Sequence, residues 1–277
     1  MQDTLVSTDW LHDRLTDDSV RVLEVGSSDD RQYRLGHVPG ATWVFWRELC
    51  WDDDVRQFAT PAQMAIRLGQ LGITNGDVLV VMSDQPQYAT YAYWSMTMAG
   101  ITGVRVLDGS RRAWVAEGRP ISVAVEDYPA VDRVTGDDDQ SSRVGRDDVL
   151  AHLNASNRVV IDARSPEEYS GERVMPLPNF DHGAQRVGRV PGAIHLYYRL
   201  LLNDDDTFKT RKEVVAAFEE AGVSLSDDIE IVTYCRLSHR ATLVWFALTR
   251  IVGFGGVRIY DGSWTEWGSM VGMPIER

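Results

Sequence analysis

The chain of 277 residues contains two cysteines, and their settings differ. Cys235 is followed at once by Arg236, Leu237, Ser238, His239 and Arg240, so one thiol stands beside two guanidinium groups, an imidazole and a hydroxyl. The run before it, Ile229 to Thr233, is rich in β-branched residues and reads as a buried strand; the run after it reads as a helix. A thiol between a strand end and a helix N-terminus meets unpaired backbone N–H groups as well as the two cations. Both favour its ionised, nucleophilic form. The chemistry that follows is covalent transfer on a thiolate. The competing reading of a lone cysteine is a small buried apolar residue, against which the polar and cationic neighbours argue. Cys50 lies in the run WRELCWDDD, where adjacent acids would hold the thiol protonated, and is read as structural.

A fold must position these residues, and the chain spells it twice. Residues 20 to 44 (VRVLEVGSSDDRQYRLGHVPGATWV) recur as RVVIDARSPEEYSG and GRVPGAIHL between residues 158 and 196, interrupted by an insert. LGQLGITNGDVLVVMSD (68 to 84) is echoed by FEEAGVSLSDDIEIVTYC (218 to 235), and GVRVLDGSRRAWVAEGRPI by GVRIYDGSWTEWGSMVGMPI. The expected division is a first domain at 1–125, a linker at 126–142 that holds six acids, and a second domain at 143–277. Expected strands are Val20 to Val25, Val78 to Met82 and Val104 to Leu107, matched by Val159 to Asp162, Ile229 to Thr233 and Val257 to Tyr260. Ala62 to Leu71 and Glu213 to Ala221 read as helices ending at a glycine, and Ser7 to Leu15 and Asp147 to Leu153 as helices opening each copy. Strands alternating with helices give an α/β fold, each copy a mostly parallel sheet with helices on both faces, with ligands beyond the carboxyl ends of the strands.

Each copy serves as a control for the other. Anchoring on Trp94 and Trp245 sets Asp84 opposite Cys235, so the chemistry is assigned to the second copy. Only the second copy carries an insert, about sixteen residues between Tyr169 and Gly188 with Arg173, Pro176, Pro178, His182 and Arg186. Loops of that length are usually functional or disordered.

Composition narrows the partners. With 28 Lys+Arg against 41 Asp+Glu the net charge is −13, which disfavours nucleic acid and anionic lipid surfaces. The longest apolar run, Leu243 to Leu248, is far below the roughly 20 residues that span a bilayer. The start of the chain shows no basic region followed by an apolar stretch, so cytoplasmic residence is expected. Two distant cysteines make neither a disulfide framework nor a zinc site, so no metal or cofactor is expected.

The loop CRLSHR (235 to 240), the stretch YDGSWTEWGS (260 to 269) and the paired GHVPGA (36 to 41) and GRVPGA (188 to 193) resemble the two-domain rhodaneses, above all the bacterial thiosulfate sulfurtransferases. The resemblance implies two tandem rhodanese-like domains, the first catalytically silent, and an active site in the second at the interface between domains. It further implies that the Cys235 thiolate attacks the outer sulfur of thiosulfate, expels sulfite and becomes a persulfide, which cyanide or a thiol then discharges. The protein acceptor is left unknown. A thiolate meeting a dianion is repelled by roughly 4 kcal/mol per charge pair at 4 Å and an effective dielectric of about 20. Positive groups must offset this. The amides of Arg236, Leu237, Ser238, His239 and Arg240 are assigned to the persulfide, and the guanidinium groups of Arg236 and Arg240 to the sulfite end. His239 is either a group that tunes the thiolate or a solvated loop residue. Arg164, in an Asp-x-Arg turn, is either a structural salt bridge or a donor contact. Trp264 and Trp267 are read as packing. The chain departs from the family pattern at Ser238, where glycine is common, and at Glu167 and Glu168, near which relatives carry an arginine; Arg173 or Arg186 from the insert would replace that cation.

Three alternatives stand beside this reading. A phosphatase or arsenate reductase would have five residues between cysteine and arginine, whereas four separate Cys235 from Arg240. Relatives that use 3-mercaptopyruvate typically have glycine in the position of Arg236. A non-catalytic persulfide carrier or binding module would receive sulfur from another protein.

Overall fold

The β-branched runs picked out by periodicity are the central strands of two five-stranded sheets. In the computed structural model, which describes residues 4–52 and 54–277, the strands are β1 Leu5–Val6, β2 Val20–Gly26, β3 Ala41–Phe45, β4 Trp51–Asp52, β5 Gln57–Phe58, β6 Val78–Met82, β7 Val104–Leu107, β8 Arg143–Val144, β9 Arg158–Asp162, β10 Ile194–His195, β11 Glu230–Tyr234 and β12 Val257–Tyr260. One sheet runs β1-β7-β6-β2-β3 and the other β8-β12-β11-β9-β10, every pairing parallel. The two orders are the same, as a duplicated sequence requires. Helices flank both sheets, so each copy is an α/β domain with a parallel sheet, as its alternating periodicity indicates.

Helix limits follow local chemistry. The helices Pro61–Gln70 and Arg211–Glu220 each begin with a capping box, Thr60 with Gln63 and Thr210 with Glu213, which satisfies N–H groups otherwise left bare. The helix Thr8–His12 starts at the cap Ser7 and stops short of Leu15. The two-residue edge strands β1 and β8 leave no mark in the sequence, because so short a run carries no periodicity.

The chain folds into two units, one running through Gln140 with Asp204–Thr207 added, and a second made of Ser141–Asn203 and Phe208–Arg277. The acidic segment 126–142, expected as a linker, lies along the first unit over most of its length. Tyr128 donates to the Gly40 carbonyl at 3.1 Å, the Val131 amide to Gly69 at 2.9 Å and the Asp139 amide to Met98 at 2.8 Å. In the second unit the core around β9, β11 and β12 packs Val160, Val232, Tyr234, Tyr260, Trp264 and Trp267. Trp264 and Trp267 are 0% exposed, with their indole N–H groups on the Arg186 and Pro274 carbonyls, which is the packing role expected of them. Cys50 is also 0% exposed; burial, rather than the neighbouring acids, pushes its thiol up to about 12.

Among the described residues no helix is long and apolar enough to cross a membrane. No cluster of three or more His, Cys, Asp or Glu side chains suited to a metal ion occurs among them.

Candidate active site

Strand β11 ends at Tyr234, and Cys235 opens the loop that leads into the helix His239–Phe246. The loop is tied down from its first residue. The Cys235 amide donates to Ser263 Oγ at 3.2 Å, Ser263 Oγ donates to the Tyr260 carbonyl at 2.9 Å, and the carbonyls of Cys235 and Arg236 accept from Trp264 and Thr265 at 2.9 and 3.1 Å. Cys235 is 1% exposed. Ser238 is the helix cap and adopts φ 63°, a left-handed conformation that favours glycine. Its hydroxyl lies 2.8 Å from Asp261 Oδ1 and 3.1 Å from the Asp261 carbonyl, and Arg143 holds the other carboxylate oxygen at 3.0 Å. The contacts of its hydroxyl with the buried Asp261 offset the strain that a side chain carries in this conformation. The helix beyond it leaves its first N–H groups without helical partners.

The two terminal nitrogens of Arg240 form a bidentate pair with Glu168 at 2.5 and 2.9 Å, and Glu168 also accepts from the Ser165 amide at 3.0 Å. The carboxylate side chain is 0% exposed and the guanidinium side chain 11%. Burial works against the charge on Arg240, but Glu168 and then Cys235 outweigh it and hold its pKa above the usual value. Arg240, assigned from the sequence to the sulfite end of the donor, is thus a fixed cation coupled to the sulfur, with two of its nitrogens held by Glu168. Glu168, noted in the sequence only for the cation it replaces, is its anchor. The sequence signal is the capping box Ser165-Pro166-Glu167-Glu168, with Glu168 as the third helical residue. Tyr197 and Tyr198, rings 5.2 Å apart, also interact electrostatically with Arg240, and no sequence pattern marks them.

Arg164 is 0% exposed and grips Asp162 through Nε at 2.9 and 3.1 Å and Nη2 at 2.6 Å; Nη2 also donates to the Gly188 carbonyl at 2.8 Å. The donor-contact alternative for Arg164 is corrected: it is a structural tie between the strand end and the Gly188 turn. Tyr234 completes the knot, donating to Asp162 at 2.5 Å and accepting from the Val190 amide at 3.1 Å. In the first unit strand register puts Gly26 in the place of Arg164 and Glu24 in that of Asp162. There Arg111, from the start of a later helix, approaches Glu24 at 3.9 Å and donates to the Gly36 carbonyl. A guanidinium stands between the same two groups in both copies, supplied from different chain positions, but Arg111 meets Glu24 by charge alone, and Glu24 Oε2 is left without a hydrogen-bond partner.

Register also corrects the pairing of Asp84 with Cys235. Glu24 pairs with Met82, and Asp162 with Tyr234. The residue after Met82 is Ser83, whose amide donates to Ser110 Oγ at 2.8 Å, as the Cys235 amide does to Ser263. Ser83 therefore stands where Cys235 does, and Asp84 matches Arg236. The loop-to-helix passages differ by one residue between the copies, so anchoring on the helical tryptophans shifts the strand ends by one.

The insert packs partly on itself and partly on residues 267–273. Arg173 donates to the carbonyls of Met175 and Asn179, and Arg186 to those of Trp267, Gly268, Met270 and Met273. The structure thus gives both insert arginines backbone partners instead of leaving them as replacement cations. Arg236 is half-buried and lies against Gly183 of the insert. Leu237 is half-buried, and His239 is 7% exposed, which removes the solvated-loop alternative.

The sequence pattern of the Rhodanese-like domain matches residues 7–117 and 146–270. The chain is 40% identical over 280 residues to "Sulfur carrier protein TtuD" of Thermus thermophilus, covering 99% of this chain and 97% of that protein. It is 36% identical over 275 residues to a Mycolicibacterium smegmatis protein provisionally named a thiosulfate sulfurtransferase, covering 99% and 98%. Among solved structures, wild-type EanB superposes with a TM-score of 0.83 at 23% identity over 99% of this chain and 69% of that one. YnjE superposes with a TM-score of 0.83 at 21% identity over 99% and 69%. These two structures speak for the fold.

Proposed function

Since the chain belongs to the rhodanese family, we propose that it is a sulfurtransferase that carries sulfur as a persulfide on Cys235 and takes it from thiosulfate. The observation that carries the proposal is the placement of Cys235 at the end of β11, in a pinned loop between the half-buried Arg236 and the fixed cation Arg240.

The transfer is a displacement at sulfur. The Cys235 thiolate forms a bond to the outer sulfur of thiosulfate, the S–S bond of the donor breaks, and its electron pair leaves with sulfite. One thiolate and a dianion become one persulfide anion and a dianion, so charge balances without any further reactant. Cyanide or a thiolate then attacks the outer sulfur and restores Cys235. Arg240 supplies a positive charge that needs no reorganisation, because Glu168 holds it in place. Arg236 is the candidate for the sulfite end, as a charge-assisted contact. Residues through 125 form a catalytically silent copy in this reading, since Ser83 offers a hydroxyl where Cys235 offers a thiol. Cytoplasmic residence fits a chain whose two cysteines are both free.

A carrier role is the second reading, favoured by the name of the 40% identical relative. Steady-state rates with thiosulfate and with 3-mercaptopyruvate, each with cyanide and with a thiol acceptor, separate the readings. Turnover with thiosulfate well above that with mercaptopyruvate is expected. No turnover with either, together with sulfur uptake from a persulfidated protein, would favour the carrier.

A further inference from the structure

We infer that the second-copy insert, residues 172–187, is a specificity element of the thiol site that acts through Gly183 on Arg236. The inference rests on the sulfurtransferase reading for its donor but not for its geometry.

The internal duplication isolates the insert. In the first unit the helix Arg31–Leu35 passes directly into Gly36, whereas in the second the helix Pro166–Ser170 reaches Gly171, departs, and returns at Gly188. A Cβ on Gly171 would lie 3.2 Å from the backbone of Gly188, so the two ends of the excursion touch. Closed-neck loops of this size are packed by their own side chains and are frequently functional. Here the packing is explicit. Asp181 Oδ1 accepts from the Val174 and Met175 amides at 2.7 and 2.9 Å. Val174 is 5% exposed and joins the core with Ala184 and Val187. Arg186 fixes the returning limb on the four carbonyls already described, and its own carbonyl accepts from Trp264 at 3.0 Å.

The excursion, held by these contacts, meets the thiol loop at Gly183. A Cβ there would fall 2.6 Å from Arg236 Nη1 and 3.6 Å from its Cδ. No side chain fits between the insert backbone and that guanidinium. The obstructing atom is the end of a flexible side chain, so a larger residue would displace the guanidinium and spare the fold. Gly183 has φ +107°, which makes any substitution strained as well, and the test must separate strain from contact. The insert thus fixes where the cation next to Cys235 can stand, and with it the class of donor accepted: a compact donor with an anionic head placed against Arg236.

The test compares Gly183→Ala, Arg236→Ala, the double variant and Arg186→Gln in the full chain, with Gly222→Ala as control. Gly222 has φ +80° and nothing within 4 Å of a built Cβ, so it carries strain without contact. Two readouts are taken: thiosulfate kcat/KM, and the ratio of Cys235 alkylation by iodoacetate to that by iodoacetamide, which senses local positive charge whatever the donor. Gly183→Ala should lower kcat/KM about tenfold through KM and lower the alkylation ratio. Neither should fall further when Arg236→Ala is already present. Arg186→Gln should act in the same direction, and Gly222→Ala should change neither. An unchanged alkylation ratio in Gly183→Ala and Arg186→Gln, or losses that add to those of Arg236→Ala, overturns the inference. A wild-type protein inert to thiosulfate would sink the donor assignment, and the alkylation ratio would still decide the insert's role.

Discussion

Replacing Glu168 by glutamine keeps the shape of the side chain and removes the charge that faces Arg240. Three contacts converge on this carboxylate: the Arg240 nitrogens at 2.5 and 2.9 Å and the Ser165 amide at 3.0 Å. Both partners are buried, the guanidinium at 11% and the carboxylate at 0% exposure, so solvent screens little of the loss. Two charge-assisted hydrogen bonds are worth roughly 1.5 to 3 kcal/mol each. Breaking one side of a buried pair costs about 3 to 5 kcal/mol, and the two figures agree. At about 2 to 4 °C per kcal/mol, the unfolding midpoint of the unit that holds them should fall by roughly 6 to 20 °C. The sulfur responds in the opposite sense. An Arg240 freed of its counter-charge presents a larger positive field, so Cys235 in Glu168→Gln should react faster with iodoacetate at fixed pH than wild type does, below the new midpoint. Arg240→Met leaves the carboxylate instead and should slow the same reaction. Calorimetry and timed alkylation read the two effects. A midpoint within 1 °C of wild type, or the same direction of alkylation change in both variants, would refute the pairing as the source of the field; the 1 °C limit is about the effect of a sub-kcal/mol change.

Glu24, 2% exposed, is pushed up to about 7 by burial while Arg111 pulls the other way. Its folded value lies above the ordinary 4.5, so stability is full below about 4.5 and is lost as pH rises through 7, by up to about 3 kcal/mol. Urea unfolding at pH 5 and 7.5 should show that decline, and Glu24→Gln should flatten it; an unchanged slope contradicts the assignment. Ser238→Ala loses the Asp261 contact and keeps the left-handed strain, so it should cost about 1 to 3 kcal/mol, whereas Ser238→Gly relieves the strain and should stay within about 1 kcal/mol of wild type. The reverse order in thermal unfolding would mean that the hydroxyl does not support the loop. Cys50, held near 12 by burial, should remain unlabelled by iodoacetamide at pH 8 in the native protein, and labelling on the timescale of Cys235 would place it in the wrong environment.

Patterns repeated over many residues are legible from sequence, and single exchanges across space are not. Periodicity locates β6, β7 and β12 at their observed limits and β2, β9 and β11 within one residue, because short runs rich in β-branched residues and bounded by turn signals leave few registers open. Cys235 stands out because its neighbours are wrong for an apolar core. The Glu168–Arg240 pair joins residues 72 apart, and nothing in local spacing marks it. The Arg164 and Arg111 exchange is hidden for the same reason: what each copy retains is a guanidinium at a point in space, supplied from different positions in the chain. Asp84 falls opposite Cys235 when the helical tryptophans serve as the ruler, and one residue of difference in the intervening loop defeats that ruler. The insert arginines look available in sequence, where the carbonyls of 267–273 that occupy Arg186 cannot be seen.

The central claim is that Cys235 carries the transferred sulfur, and the mass of the intact protein after incubation with thiosulfate tests it most directly. Wild type and Cys50→Ser should each gain the mass of one sulfur atom and lose it on addition of cyanide, with thiocyanate released in equal amount. Cys235→Ser should gain nothing. A sulfur adduct on Cys235→Ser, or thiocyanate formation by that variant at the wild-type rate, would contradict the account.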